Sequence, residues 1–388
     1  MIFQLVSIIY SPYLAFLPML YLVIYYGQKR KLEIKNSWDM GLLLLFFWAL
    51  IVGLLNDNIS MVTSFVILGY FFVSIYLQEI YNEEIKAEKL YHDLFVLSLG
   101  SAFLGFLEYV GIISYTPSVW KFFLGIRSID DIPESFRIAG TFNNPNLAGT
   151  WYAIMALIGL YFFISKRKMV YLLGILIYVS VLLMTGSRGA FIGLFIGLVL
   201  YAYYSGHKKK MFFLMFSLLS GVTLMLFFPE WFPRGDILFS SISDRQAIWE
   251  NTFHMFLLKP ITGWGIMGIY FADHTVYQYL RVFHAHNIFL TIATTLGTIG
   301  LIIVLWMQWN LFQEIRLLYR YQSKIVPLLS GIQGMIFGQG LFDFTIMSPQ
   351  IGLLYIGSSA VISGLAFQYV KKEKRLLLLS PSYIFKRI

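Results

Sequence analysis

The chain of 388 residues is 58% hydrophobic and only 13% charged, and its mean hydropathy is +0.71. Soluble globular proteins are about 45–50% apolar and about 25% charged, and a soluble fold of this length could not bury such an apolar excess. The composition therefore excludes a cytosolic enzyme, a secreted domain and a disordered scaffold, and the absence of cysteine excludes disulfides and thiolate metal sites. The net charge of +9 would suit a nucleic-acid partner. The positions of the charges along the chain decide whether they indicate such a partner or membrane topology.

Apolar runs long enough for a bilayer-spanning helix, about 17–25 residues, recur along the whole chain. Continuous runs such as 42–51 do not show the alternation of barrel strands. We therefore predict an all-α, polytopic integral membrane protein, with residues 1–388 forming a single membrane domain of about 11 or 12 transmembrane helices. The predicted spans are 8–26, 40–55, 60–77, 94–115, 145–164, 169–185, 188–205, 211–228, 287–311, 325–346 and 350–370.

The basic residues divide unevenly between the two membrane faces. One face holds 21 of the 29 Lys and Arg residues, in the connections 27–39, 78–93, 165–168, 206–210 and 312–324 and in the tail from 371. By the positive-inside rule this face and the C-terminus are cytoplasmic, and eleven spans place the N-terminus outside. Two short segments within residues 1–26 would instead place the N-terminus inside. The charge thus predicts a plasma (inner) membrane topology and no nucleic-acid partner.

Two long connections lie on the predicted outer face, a first outer loop at 116–142 and a larger one at 229–286. In the larger loop, Ser243 and Gln246 match a capping box for an amphipathic helix that ends near Lys259, before Pro260. The apolar face of this helix is predicted to lie on the membrane interface or on the transmembrane bundle. Its members are Ile242, Trp249, Phe253 and Phe256.

Polar residues at the outer ends of two spans predict an anion site. Asn144 is a good N-cap and Pro145 suits the first helical position, so a helix N-terminus reaches the outer surface by Asn146. Such an N-terminus favours an anion, although the asparagine is equally explained by capping alone. Gly186 is predicted to end one helix and Ser187 to cap the next.

Two arginines strengthen the prediction of an anion site. Arg188 opens its helix, where the helix dipole and desolvation both oppose a cation, and this favours an anionic ligand such as a phosphate. Snorkelling to lipid headgroups is the alternative. Arg245, in the large outer loop, is either a second phosphate-binding arginine or the cation of a cation–π pair with Trp249, one turn away.

The segment Gly263–Gly268 matches G-x-G-x-x-G, but no strand precedes it, so we interpret it as a glycine turn and reject a dinucleotide site.

His284 and His286 could suggest zinc, yet no supporting ligand spacing is present and we predict no metal. His286, at the start of a span, is suited to general-base chemistry because its pKa is ordinarily near neutral, whereas His284 is interpreted as a hydrogen-bonded interfacial histidine.

Two acids fall inside apolar spans, Glu108 in the fourth and Asp343 in the tenth. Intramembrane acids are costly and usually paired, so Asp343 is predicted to orient an arginine or the histidine. For each acid a neutral, protonated carboxyl is the alternative.

Several motifs occur together in a fixed order. His286-Asn287 is followed after nine residues by Gly297-Thr298-Ile299-Gly300, and this H-N-x9-G-x-x-G pattern resembles the signature of the O-antigen ligase and Wzy-type polysaccharide polymerase superfamily. Three other segments are similar to that family: G-T-F-x-N-P-N at 140–146, S-R-G-A at 187–190, and R-x-x-x-W at 245–249 leading to P-I-x-G-x-G at 260–265. The resemblance covers about residues 140–303, and family members usually have about twelve spans.

The resemblance implies a membrane glycosyltransferase of cell-surface polysaccharide biosynthesis. Such enzymes transfer a glycan from an undecaprenyl-pyrophosphate carrier to a hydroxyl of another glycan chain or of a lipid core, on the outer side of the plasma membrane. It implies that His286 is the base and that Arg188 and Arg245 bind the pyrophosphate, with Arg281 as a weaker additional member. Substrate-binding roles are expected for Asn144, Asn146, Asn287 and Asp343. No cofactor is expected, since arginines supply the positive charge.

A lipid-linked glycan flippase or another transporter is the competing hypothesis. A transporter places charged groups along a path through both leaflets, whereas the candidate groups here cluster at the outer boundary. A purely structural scaffold would explain the spans but not the set of arginines and histidines.

Overall fold

The computed structural model describes residues 2–28, 33–113, 118–126, 137–232 and 234–379, with side chains as far as 373, and every regular element in these ranges is a helix. The α-helices are α1 (Ile2–Tyr10), α2 (Phe16–Gln28), α3 (Ser37–Asn56), α4 (Asn58–Ile80), α5 (Glu84–Tyr109), α6 (Val119–Phe123), α7 (Pro145–Lys166), α8 (Met169–Thr185), α9 (Arg188–Tyr204), α10 (Lys208–Phe227), α11 (Leu238–Leu258), α12 (Ile288–Arg320), α13 (Val326–Gly340) and α14 (Pro349–Leu379). Short 3-10 turns occupy Pro229–Trp231, Gly235–Ile237 and Thr345–Met347.

Within the described ranges, seven helices are long and apolar enough to cross a membrane, namely α3, α4, α5, α7, α10, α12 and α14 up to Glu373. The helices α8 and α9 are equally apolar but only 17 residues long each. The architecture is that of a polytopic all-α membrane protein. The helix α7 lies at its centre, with Trp151 and Tyr152 fully buried, whereas α10 has no buried residue and lies at the periphery.

The single span predicted over residues 8–26 is wrong, because the chain there forms two helices, α1 and α2. Ser11 follows α1, and its hydroxyl accepts the backbone N–H groups of Tyr13 and Leu14 at 3.2 and 3.0 Å. Pro12 has no N–H and cannot continue a helix, so the turn interrupts an otherwise continuous apolar run. The division into α1 and α2 agrees with the alternative of two short segments, although hydropathy alone does not locate the break.

Three other predicted spans have different ends. The helix α12 continues to Arg320, nine residues beyond the predicted span 287–311. The helix α5 begins at Glu84, ten residues before the predicted span 94–115, and ends at Tyr109. The helix α13 ends at Gly340 rather than at 346, and the chain then turns through Asp343. This acid therefore lies in a turn beyond the helix rather than inside it.

A seam of small residues joins α9 to α13 and thereby positions the N-terminal end of α9 beside the C-terminal end of α13. A Cβ on Gly193 would lie 2.7 Å from the Met335 carbonyl oxygen, and one on Gly197 would lie 2.7 Å from that of Gly331. Such close backbone approach through small residues is a common way for helices to associate in membranes. The seam brings the first residue of α9 to the last turn of α13.

The larger outer loop contains α11, but the predicted capping box is wrong because the helix begins at Leu238, five residues before Ser243. Its C-terminal end, at Leu258, agrees with the prediction. The buried face consists of Leu238, Ile248, Thr252 and Met255. Of the predicted apolar face, Ile242 and Phe253 are exposed, so these two residues do not pack on the bundle, and the membrane-interface alternative stays a prediction.

The segment that follows α11 packs into a break in α12. Gly297 has φ 67° and ψ −173° within α12, and a Cβ there would lie 2.0 Å from the Ile261 carbonyl oxygen. The break at Gly297 leaves the Thr295 carbonyl available, and this carbonyl accepts the Gly265 N–H at 2.8 Å. The G-x-G-x-x-G segment is thus a turn that packs on α12. In the H-N-x9-G-x-x-G pattern, nine residues separate Asn287 from this break at Gly297.

Candidate active site

The N-terminal ends of α7, α9 and α12 meet the C-terminal end of α13 at one polar site, and Asn146 in the first turn of α7 lies at its centre. Asn144 caps α7 by accepting the Asn146 N–H at 2.7 Å, and Pro145 occupies the first helical position, as predicted. The Asn146 amide donates to Asp343 Oδ2 at 2.7 Å, while its Oδ1 accepts from Arg137 at 2.7 Å and from Ser187 at 3.2 Å. Asn146 therefore links the two halves of the site, a cluster of arginines and a His–Asp pair.

Four arginines line one polar cavity of about 70 Å³. Two of them, Arg188 and Arg245, are the predicted pyrophosphate ligands, and the structure brings them together. The other two, Arg137 and Arg234, were missed by the sequence motifs. The remaining lining residues are Asn146, Gly186, Gly189, Ser241 and Gln339.

Local structure explains how the arginines converge. Gly186 ends α8 in the left-handed region at φ 58°, so α9 can begin at Arg188 after a two-residue turn. Ser187 occupies the N-cap position of α9, as predicted, but its hydroxyl donates to Asn146 instead of capping the helix. Arg137 is held by bonds from Nε to the Thr185 carbonyl and from Nη2 to Asn146, each 2.7 Å long.

The arginine cavity carries a concentrated positive charge. Among the described residues, Arg188, Arg234 and Arg245 form no salt bridge, and Arg188 Nη1 instead donates to the Arg234 carbonyl at 3.3 Å. Burial lowers the pKa of Arg245, and the charge of Asp343 opposes that shift. Burial also lowers the pKa of Arg234. The charge of Asp236 raises this pKa, and the charge of Arg245 lowers it further. Partly desolvated guanidinium groups without carboxylate partners are suited to a polyanionic ligand.

Two buried atoms in this cavity have no protein partner in the described part of the chain. These are Nε of Arg234 and Oε1 of Gln339, whose residue is only 1% exposed. The cation–π alternative for Arg245 is also not realised, because the described residues show no such contact with Trp249, and the buried indole nitrogen has no partner among them. Buried polar groups are normally satisfied, so these atoms indicate a ligand or ordered water in the cavity.

The second half of the site is a His–Asp pair. His286 Nδ1 lies 3.0 Å from Asp343 Oδ1, which also accepts the Phe344 N–H at 2.8 Å. Burial by itself raises the pKa of the Asp343 carboxyl, but the hydrogen bond to His286, the two histidine charges and the Phe344 N–H lower it well below its usual range. An ionised Asp343 accepts the Nδ1 proton and leaves Nε2 of His286 as a proton acceptor.

His284 is hydrogen-bonded, as predicted, and it also belongs to the same cluster, which the sequence did not predict. Its Nδ1 accepts the His286 backbone N–H at 3.2 Å, and its Nε2 lies 3.6 Å from Asp343 Oδ1. One ligand atom from each of His284, His286 and Asp343 falls within 4.8 Å of the others, so the three groups could hold a metal ion. The short Asp343 contacts are equally explained by hydrogen bonding.

The remaining predicted site residues have other roles. Asn287 caps α12 by accepting the Leu290 N–H at 3.0 Å, and its amide donates to the Leu341 carbonyl at 3.2 Å. Arg281 is exposed and does not line the arginine cavity. Glu108 is buried at the end of α5 and accepts the N–H groups of Ala139 and Gly140, so it anchors the segment that leads into α7.

An apolar cavity of about 310 Å³ adjoins the arginines and extends between α8, α9 and α10. Arg188 and Gly186 line both cavities, while the rest of the apolar wall includes Phe191, Phe195 and Val222. The peripheral position of α10 leaves this space open. The polar cavity and the apolar cavity therefore share part of their wall.

Residues 172–305, about a third of the chain, match the family model described as O-antigen ligase. The match spans Arg188, Arg245 and His286, and it confirms the family resemblance that the sequence motifs predicted. It supports a role of the glycosyltransferase type in polysaccharide assembly at a membrane. A comparison with curated proteins finds no match.

Proposed function

Because residues 172–305 carry the O-antigen ligase signature, we propose that the chain is an inverting glycosyltransferase, a polysaccharide ligase or polymerase. It transfers a glycan from an undecaprenyl-pyrophosphate carrier to an acceptor hydroxyl on a glycan chain or a lipid core. The observation that carries this proposal is the convergence of four arginines beside a His–Asp pair, with Asn146 bonded to both.

The proposed reaction is a single displacement at the anomeric carbon of the donor sugar. The acceptor hydroxyl transfers its proton to Nε2 of His286 while its oxygen attacks C1, and the bond between C1 and the pyrophosphate oxygen breaks. Attack from the face opposite the leaving group inverts C1. The charge that develops on the pyrophosphate is stabilised by the arginines, and Asp343 stabilises the imidazolium.

The apolar cavity supports a donor with a lipid chain. A pyrophosphate held by Arg188 would place an attached polyprenyl chain at the mouth of the cavity between α9 and α10. This arrangement fits a carrier that stays in the membrane while its head group reacts at the surface. Since the large loop holds Arg234 and Arg245, that surface is the outer one if the basic connections and the C-terminus are cytoplasmic. This topology, in the plasma membrane with eleven or twelve spans, is part of the proposal.

The proposed mechanism needs no metal ion. Guanidinium groups supply the positive charge that a divalent cation would otherwise place on the pyrophosphate, and they bind phosphate oxygens in pairs. We expect transfer to persist in the presence of excess EDTA. Loss of transfer that is restored by a divalent cation would instead assign the His284–His286–Asp343 group to metal binding.

The test uses the purified protein in detergent or nanodiscs with a defined undecaprenyl-pyrophosphate glycan and a hydroxyl acceptor. His286→Ala and Arg188→Ala should fold and lose transfer by about 10²–10⁴-fold, by analogy with general bases and oxyanion donors. The control is Arg320→Ala, which removes an exposed arginine at the opposite end of α12. Full transfer by either site variant removes that residue from the mechanism, and carrier translocation without bond formation supports a transporter.

A further inference from the structure

From the geometry around the proposed base, we infer that His284 is a positioning residue that holds the backbone of His286 in its reactive conformation. This inference rests on the proposed function, since it gives His286 the role of base. His284 contacts the base and not the reacting atoms. Its effect passes through one hydrogen bond, from the His286 N–H to the His284 Nδ1, 3.2 Å long.

The backbone of His286 needs such support. Its φ is 49°, in the left-handed region that residues with a Cβ seldom adopt. In this conformation the His286 Nδ1 lies 3.0 Å from Asp343 Oδ1. A non-glycine residue in this region persists when its surroundings fix it, and such residues cluster at functional sites.

Other contacts also hold the loop 284–286 in place. Ala285 is fully buried, and its N–H donates to the Thr291 hydroxyl in the first turn of α12 at 3.1 Å. The rings of His284 and His286 contact edge to face with centroids 4.5 Å apart, and His284 also packs near Phe344. The loop 284–286 is therefore anchored to α12 at Ala285 and to the His284 ring at His286.

The protonation state of His284 agrees with the role of an acceptor. Burial lowers the pKa of His284 to about 4, and the charge of Asp343 opposes this shift while that of His286 reinforces it. The ring is therefore neutral at physiological pH, and the hydrogen bond requires its proton to be on Nε2 rather than on Nδ1. A protonated ring would present a donor to the His286 N–H and break the contact.

His284 could act through the His286 backbone N–H or through the Asp343 carboxylate, and substitutions with side chains of different shape distinguish these two routes. The His284 Nε2 is 3.6 Å from Asp343 Oδ1, longer than a hydrogen bond, so the route through the carboxylate is the weaker one. Asparagine places an oxygen near the position of Nδ1 and can accept an N–H two residues on, as in an Asx-turn. Glutamine places its amide near the position of Nε2 and cannot close that turn.

The experiment measures transfer kinetics of His284→Ala, His284→Asn and His284→Gln with the same undecaprenyl-pyrophosphate glycan and acceptor. We expect His284→Ala to lower kcat by about 10–100-fold, the scale of a misplaced catalytic group, with little change in the donor KM. His284→Asn should restore kcat to within a few-fold of the wild type, whereas His284→Gln should stay as low as the alanine variant. Donor binding by each variant, measured without acceptor, reports that the arginine cavity is intact.

Several results would overturn the inference. Restoration by glutamine but not by asparagine would show that His284 acts through Asp343, and full kcat in His284→Ala would show that it has no role in the reaction. A readout independent of activity is the ¹⁵N NMR spectrum of labelled histidines at pH 7. A neutral His284 with an unprotonated Nδ1 supports the inference, whereas a charged ring or a protonated Nδ1 contradicts it. If the wild type transfers no glycan, the proposed function fails, while the NMR result still decides the hydrogen bond.

Discussion

Replacing Asp343 with asparagine tests the His–Asp pair with almost no change in volume. Every described group that contacts this carboxylate within hydrogen-bond distance is a donor. Oδ1 accepts from the Phe344 N–H at 2.8 Å and from His286 Nδ1 at 3.0 Å, and Oδ2 accepts from the Asn146 amide at 2.7 Å. Asparagine offers one acceptor and one donor, so either orientation leaves an NH2 group facing a donor.

The two orientations bracket the size of the effect. If the NH2 group faces His286, Nδ1 must accept and its proton moves to Nε2, so the base is lost and kcat falls by about 10²–10⁴-fold. If it faces Asn146, His286 keeps its tautomer but loses the charged partner. A hydrogen bond to a charged group contributes about 1–2 kcal/mol more than a neutral one, which corresponds to about tenfold in rate. We therefore expect a loss of at least about tenfold in kcat.

The assay is glycan transfer under saturating donor and acceptor, across pH 5.5–8.5, for Asp343→Asn beside Asp57→Asn. Asp57 caps α4 by accepting the Ser60 N–H at 2.7 Å, and asparagine caps a helix equally well, so this control makes the same chemical change outside the site. Wild-type kcat in Asp343→Asn, in protein with an unchanged melting temperature, would refute the assignment of a His–Asp pair.

Three further outcomes are expected. Arg137→Lys keeps the charge but loses the two guanidinium hydrogen bonds to the Thr185 carbonyl and Asn146, so kcat/KM for the donor should fall about tenfold. An unchanged kcat/KM would remove Arg137 from the site. Gly297→Ala should lower the free energy of unfolding by about 3 kcal/mol, because its Cβ would collide with the Ile261 carbonyl, whereas Gly221→Ala, with no atom within 4 Å, should be close to neutral in the same thermal melts. His284 has a folded pKa of about 4 against about 6.5 when unfolded, so its contribution to stability is complete above pH 6.5 and is lost as the pH falls towards 4. Between pH 6.5 and 5 the wild type should lose about 2 kcal/mol more than His284→Asn, and equal pH slopes in thermal melts would contradict the depressed pKa.

The helices of the central region could be predicted from the sequence almost to the residue. The predicted spans 145–164, 169–185 and 188–205 correspond to α7, α8 and α9, because the caps at Asn144 and Gly186 are local signals that lie next to strong apolar runs. Prediction failed where a side chain or a proline broke such a run, as in the turn after Ser11, and where a helix extended beyond a polar pair that resembled a cap, as at Ser243. Hydropathy averages over these short polar interruptions.

The site was predicted in part. The distribution of charges assigns eight basic residues to the predicted outer face. Four of these line the cavity, namely Arg137, Arg188, Arg234 and Arg245. Motifs identified only two of the four, because Arg137 and Arg234 lie in loops without a spacing pattern. His284 was likewise judged on its own side chain, whereas its importance comes from a backbone contact with a strained residue.

The sequence by itself determined the class of solvent, the helical architecture, the family resemblance and the identity of the candidate base. These depend on composition and on contacts within a few residues, which local chemistry specifies. Only the tertiary structure decided that Asp343 joins His286 across 57 residues and Asn146 across 197, and that four arginines share one cavity. Charged groups are scarce in this chain, and a charged group in or beside an apolar span is costly unless it is paired. The sequence therefore shows which charged groups need partners. Which partner each one meets depends on how the helices pack, as at the glycine seam that brings α9 against α13, and no local pattern encodes that choice.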